Sequence, residues 1–267
     1  MKLFESIKLA ALLVAAQATA LPVIKITAPS LKDSPSPSDS HNNTGPTSHT
    51  PSQTTAYSNN WSGTVLTQPP SGDEFTHVST IITIPKVSSD GLDSYQSASV
   101  WVGIDGATVS DAILQTGVNV GILDGSPHYS AWYQWYPEAS VTWPDFELQA
   151  GDVVETTVNA TSKTSGICIV ENKSTGQKAS KTIEAPKPSS TLSGKNAEWI
   201  VEDFLSNGSP VPLVDFGEIT FEESKAETKK GKSVGVSGAT PYIMVIDGEQ
   251  VSEVDVVNDS RFKVKHT

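Results

Sequence analysis

The chain of 267 residues has one cysteine, five histidines and two methionines, and each scarcity removes a class of chemistry. A single thiol, Cys168 in "GICIVEN", forms no internal disulfide, and its apolar neighbours mark it as a small buried side chain rather than a nucleophile. Of the histidines, His41 and His49 lie in a polar leader, His266 next to the end, and His77 and His128 stand alone. No His/Cys group has zinc spacing, no G-x-S-x-G elbow offers a serine nucleophile, and "WVGIDG" has glycines without a phosphate-loop or dinucleotide pattern. The acidic positions Asp105, Asp247 and "DFGE" (215–218) do not make a calcium loop. Carboxylates, amides and aromatics remain as the reactive inventory.

Basic residues are also scarce, with 18 Lys and Arg against 30 Asp and Glu. Four of the basic and three of the acidic residues lie in positions 1–55, so 56–267 carries 14 against 27, a net of −13. Such a surface disfavours nucleic acid and anionic membranes as partners. It suits work in acid, where protonation relieves self-repulsion.

Apolar residues are concentrated at the start. "MKLFESIKLAALLVAAQATA" (1–20) has a lysine-bearing beginning, a short apolar stretch and a small-residue end, which reads as a secretory signal peptide. Positions 21–55, including "SPSPSDSHNNTGPTSHTPSQTT", have little to bury and read as a disordered propeptide or linker. The expectation is a secreted, extracellular protein with one domain at 56–267. Asn-X-Ser/Thr triplets begin at Asn42, Asn60, Asn159, Asn172, Asn207 and Asn258.

That domain reads as strands. "HVSTIITIPKV" (77–87), "SASVWVGID" (97–105), "AILQTGVNVGIL" (112–123), "YSAWYQWYP" (129–137), "DVVETTVNAT" (152–161), "GEITFEE" (217–223) and "YIMVID" (242–247) are rich in β-branched and aromatic residues. "SGICIVENKSTGQKASKTIEA" reads as a hairpin, and Gly/Pro/Asp turns separate the runs. The expectation is an all-β antiparallel sandwich of two packed sheets. "NAEWIVEDF" (196–204) is ambiguous by period; its β surroundings favour a strand.

Strand parity then sorts side chains by face. Trp101, Gly103 and Asp105 oppose Val102 and Ile104; Ile113, Gln115 and Gly117 oppose Leu114; Trp132, Gln134 and Tyr136 oppose Tyr133 and Trp135. Glu198, Ile200, Glu202 and Phe204 oppose Trp199, Val201 and Asp203. One face thus gathers indoles, phenols, amides and carboxyls, the lining of a ligand groove. A lectin-like sandwich with Trp101, Trp132 and Tyr136 as sugar platforms, or a glycosidase with two carboxyls, fits the same pattern.

"SNNWSG" (58–63), "WVGIDG" (101–106), "AILQTG" (112–117), "AWYQWYPE" (131–138), "STGQK" (174–178) and "NAEWIVEDF" occur in the order seen in the fungal glutamic peptidases, the eqolisins, which this chain resembles from about residue 56 onward. The resemblance implies a concanavalin A-like β-sandwich with a substrate groove on one concave face. It implies an acid endopeptidase, pepstatin-insensitive, made as a preproprotein and needing no metal or cofactor. The catalytic pair it implies is Glu202 and Gln115, with Trp61, Trp101, Asp105, Trp132, Gln134, Tyr136 and Phe204 binding substrate. Within that resemblance Asn119 stands where an aspartate is usual, and Ser130 and Gln134 replace acidic residues of a well-known member, which bears on the pH optimum and subsite preference. The expected partners are protein or peptide substrates, and the expected state is a monomer. In the mechanism so implied, an ionised Glu202 takes a proton from water while Gln115 donates to the developing oxyanion.

Overall fold

A computed structural model describes residues 16–17, 55–88, 94–109, 111–206 and 209–267. The signal-peptide and propeptide readings therefore lie outside the described residues, apart from the backbone at 16–17 and residue 55.

Two large sheets carry the fold. The first runs in the order β18 (Glu249–Gln250), β17 (Thr240–Ile246), β3 (Trp61–Leu66), β12 (Ala197–Glu202), β5 (Tyr95–Ile104), β6 (Ile113–Leu123), β7 (Ser126–Tyr136), β8 (Val141–Thr142), with β2 (Ala56–Ser58) beside β17. The second runs β11 (Gln177–Glu184), β10 (Ser165–Asn172), β9 (Val153–Ala160), β4 (Phe75–Thr83), β15 (Glu218–Thr228), β20 (Arg261–His266), β19 (Ser252–Asn258), with β16 (Ser233–Val234) on β15. A small third sheet joins β1 (Ala16–Gln17), β13 (Leu205–Ser206) and β14 (Ser209–Pro210). The all-β sandwich expected from the sequence is the fold observed, with one parallel pair, β2 on β17, in otherwise antiparallel sheets.

"NAEWIVEDF" is a strand. β12 is buried along its whole length between β3 and β5. That placement resolves its ambiguous period, since a central strand with both faces covered needs apolar residues on both. Trp199 and Val201 enter the main core between the sheets, with Val100, Val102, Leu114, Phe221 and Phe262. The Trp199 indole donates to the Ser79 carbonyl of the opposite sheet at 2.9 Å, tying the two layers together. The predicted hairpin is β10–β11, paired from Ser165–Glu184 to Asn172–Gln177. Gly176 closes its turn at φ 77°, where a side chain would be strained.

Sequence patterning missed β3, β19 and β20. β3 is buried throughout although it alternates little. β19 and β20 pair around a turn at Asn258–Arg261, and "SEVDVVN" against "RFKVKH" is alternating once that turn is recognised.

Of the glycan triplets, Asn60 and Asn172 are buried with their amides engaged, so those two sites are closed to modification.

Candidate active site

The outer face of the first sheet bears a second apolar cluster: Trp61, Val65, Trp101, Ile113, Trp132, Ile200 and Tyr242, with Tyr136, Ala56 and Ala107 against it. This is the face that strand parity gave to the indoles. Trp61 meets Trp101 edge-on, with ring centroids 5.1 Å apart and planes at 77°, an arrangement that contributes about 1 kcal/mol beyond burial. Close strand neighbours keep the floor clear. A Cβ on Gly117 would lie 2.2 Å from the Val100 carbonyl oxygen and 2.6 Å from the Trp101 Cβ. Gly117 therefore has to be glycine for Trp101 and Trp132 to flank it on the same rung.

Glu202 ends β12 on this face and is 1 % exposed. Asn60 Nδ2 donates to its Oε1 at 3.3 Å, and Trp101 Nε1 donates to its Oε2 at 2.8 Å. Asn60 is itself set by the Ser58 hydroxyl, which donates to its Oδ1 at 3.1 Å. Burial pushes the Glu202 carboxyl up to about 8. The N–H groups of Trp61, Trp101 and Asn60 pull it down, and the charge of Asp203 adds to the rise. The Trp61 indole does so from a geometry too poor for a hydrogen bond, since its Nε1 has no partner among the described residues. Asp203, on the other side of the strand, is pushed up to about 7 by its own burial. The sequence expectation of an ionised Glu202 in acid is therefore not met: the enclosed carboxyl holds its proton there.

Gln115 is fully buried on β6, with β5 between it and β12. Glu202 pairs with Ser99 and Gln115 with Gly103, so Trp101 lies midway along β5 between the two levels. Gln115 Nε2 donates to Gln134 Oε1, and Gln134 Nε2 donates to the Glu138 carbonyl, each at 2.5 Å. Gln115 Oε1 has no partner among the described residues. Glu202 and Gln115 are held by separate sets of partners, with no hydrogen bond directly joining them among those described.

The remaining expected residues divide. Trp61, Trp101, Trp132 and Tyr136 lie together. Phe204 follows β12, is 2 % exposed and belongs to neither apolar cluster. Gln134 is the hydrogen-bond partner of Gln115. Asp105 does something else. It closes β5 at φ 65°, which turns its carboxylate into the loop before β12. There it accepts from the backbone N–H groups of Ser193, Gly194, Lys195 and Asn196 and from the Ser193 hydroxyl, at 2.6–3.2 Å. All its acceptor capacity goes to anchoring that loop, so its place is beneath the site rather than against a substrate. Asn60 entered the sequence reading as a glycan triplet and within "SNNWSG", not as a site residue.

Of the three sugar platforms weighed from the sequence, Trp101 and Trp132 are at most 3 % exposed and Tyr136 is half-buried. Among the described residues no group of three His, Cys, Asp or Glu could hold a metal.

The site is thus a gripped carboxyl and a carboxamide on one indole-lined sheet face, and comparison with known proteins gives the class of the chain that carries it. A family model described as "Peptidase A4 family" matches residues 59–266. Aspergillopepsin-2 of Aspergillus niger is 43 % identical over 221 residues, 76 % of each chain. Scytalidopepsin B of Scytalidium lignicola is 37 % identical over 203 residues, 74 % of each. A crystal structure of scytalido-glutamic peptidase with a peptide-based transition-state analogue superposes with a TM-score of 0.68 at 35 % identity, covering 78 % of this chain and 98 % of that one. The chain belongs to the peptidase A4 family, the eqolisins, and is a peptide hydrolase.

Proposed function

We propose that this chain is a secreted, pepstatin-insensitive acid endopeptidase whose Glu202 and Gln115 cut the peptide bond. The observation that carries the reading is the grip on Glu202: two N–H donors fix both carboxyl oxygens on a face where three other buried polar atoms lack partners. Trp61 Nε1, Trp132 Nε1 and Gln115 Oε1 are all without one among the described residues. Unmatched buried donors and acceptors cost about 1–3 kcal/mol each, a cost that a folded chain accepts more readily at a working site than elsewhere.

The elevated Glu202 sets the order of proton transfers. In acid the carboxyl starts neutral, so one oxygen gives its proton to the scissile carbonyl oxygen while the other takes one from the attacking water. The C–O bond forms, a gem-diol results, and Glu202 is neutral again. The carboxyl then protonates the nitrogen and takes back a hydroxyl proton as the C–N bond breaks, leaving an acid and an amine. The second N–H of Gln115, the one not given to Gln134, donates to the oxygen that gains charge. A carboxamide has no proton to lose, so it donates at every pH. Secretion rests on the leader at 1–20, and the substrates are protein or peptide chains taken by a monomer.

The test is cleavage of a denatured protein at acidic pH by secreted protein, with and without pepstatin, alongside Glu202→Gln and Gln115→Ala. Pepstatin-resistant cleavage lost in both variants supports the reading. Cleavage retained by either variant, or abolished by pepstatin, overturns it.

A further inference from the structure

Glu198 is the one fully buried carboxyl of β12 to which the peptidase reading gives no task. Both of its oxygens lack a hydrogen-bond partner among the described residues, although the side chain has no solvent access. Its place in the sheet is specific. Glu198 pairs with Gly103, Gly103 with Gln115, and Gln115 with Gln134, so the four form one rung across β12, β5, β6 and β7. All four positions face the indole side. Gly103 has no side chain, and Glu198 Oε2 lies 3.2 Å from where its Cβ would stand. The carboxyl thus leans over Gly103, beside the Trp101 ring edge and the Ile113 methyl, which come within 2.9 and 3.3 Å of the same point.

The hydrogen bonds on this rung have a direction. The Glu138 carbonyl can only accept, so Gln134 must present its Nε2 to it. Gln134 Oε1 is then left to accept, so Gln115 must present its Nε2 there. That turns Gln115 Oε1 away from Gln134, and it is a buried acceptor with no donor. Going back along the rung from Gln115, the next side chain is Glu198. A chain of aligned amides polarises each member, so a donor at its open end strengthens every bond in it.

We propose that Glu198 is a positioning residue: as a neutral carboxylic acid it donates its O–H to Gln115 Oε1, directly or through one water, and so fixes the carboxamide with its free N–H toward the scissile carbonyl. One proton then satisfies two orphaned groups. The surroundings favour the neutral form. Burial is the main cause that raises Glu198 well above the carboxylate range, and the charge of Asp105 at the end of β5 adds to it. The backbone N–H of Ala107 opposes both and is the smallest of the three. Tyr242 on β17 is the other titratable group influenced by Glu198, and its phenol is raised, so it brings no charge. Glu202 lies four residues along the same strand on the same face and is neutral in acid as well.

This inference rests on the proposed role of Gln115, and its test separates the two. Glu198→Met keeps the length and removes the donor; Glu198→Gln keeps a donor in its N–H. The expectation is a kcat about tenfold lower for Glu198→Met with KM little changed. Glu198→Gln should stay within about threefold of the parent. Parent-like kcat in Glu198→Met, or equal loss in both folded variants, overturns the proposal. The independent arm is infrared difference spectroscopy at neutral pH, which needs no activity. The neutral-acid carbonyl band that vanishes in Glu198→Gln should shift in Gln115→Ala. No such band, or a band indifferent to Gln115→Ala, overturns the proposal even if Glu198→Met fails to fold. A shifted band combined with full activity in Gln115→Ala would instead refute the catalytic reading of Gln115 and leave the contact standing.

Discussion

The indole N–H of Trp101 meets Glu202 Oε2 at 2.8 Å, on the same side chain that closes edge-on against Trp61. One residue thereby orients the carboxyl and shapes its wall. Trp101→Phe keeps the ring and loses the donor. Because that donor favours the ionised form, its loss raises the Glu202 value further. The alkaline limb of the kcat/KM profile should move to higher pH, and kcat/KM at its optimum should fall about tenfold. A limb that stays put would separate that ionisation from Glu202.

Gln115→Ala and Gln115→Glu should lower kcat by about 10²–10³, the usual effect of removing an oxyanion donor. Circular dichroism should be unchanged. Gln134 loses one partner in the alanine variant, so a stability loss of about 1–2 kcal/mol accompanies it. In the glutamate variant a titrating group replaces a constant donor, and residual activity should become confined to lower pH.

Stability should fall as pH rises. Below about 4.5, Glu202 is neutral in both the folded and unfolded chain. Between there and about 8 the folded protein keeps a proton that the unfolded chain releases, so the folded state loses ground with each pH step and levels off above 8. The full effect is on the order of 3–5 kcal/mol. Urea midpoints measured from pH 4 to pH 9 should decline, and Glu202→Gln should flatten part of the slope. Asp203, raised to about 7, and Glu198, raised well above the carboxylate range, leave the remainder.

Asp105→Ala removes the acceptor of five hydrogen bonds in a buried loop anchor. Unfolding free energy should drop by about 3–5 kcal/mol. KM per folded molecule should change little, because the carboxylate faces the loop and not the indole side. A large KM effect with unchanged stability would return Asp105 to the substrate side.

Gly117→Ala forces a methyl group against the Val100 carbonyl and the Trp101 Cβ. It should either destabilise by several kcal/mol or displace Trp101. Tryptophan fluorescence and kcat should change together.

The sequence was most informative where a side chain's direction depends only on alternation. Val102 and Ile104 against Trp101, Leu114 against Gln115, and Trp135 against Trp132 all face as their spacing requires. Asp105 shows where alternation stops: at the end of β5 a left-handed backbone turns the carboxylate off the expected face. The state of Glu202 was not legible because its causes are remote in the chain. Asn60 lies 142 positions away and Trp101 101 positions away, and burial is a property of the closed sheet rather than of "IVEDF". Glu198 looks like Glu202 in sequence; only the rung containing Gly103 and Gln115 gives it a distinct setting.

Ser58, Asn60 and the short β2 strand impose a limit on how far the leading segment can be trimmed. Ala56–Ser58 hydrogen-bonds alongside Tyr242–Met244, and Ser58 holds the amide that holds Glu202. Loss of Ala56–Ser58 would leave Asn60 in the chain but remove the hydroxyl that sets its amide against Glu202. A cut upstream of Ala56 keeps that support for Asn60, and one downstream of Ser58 loses it.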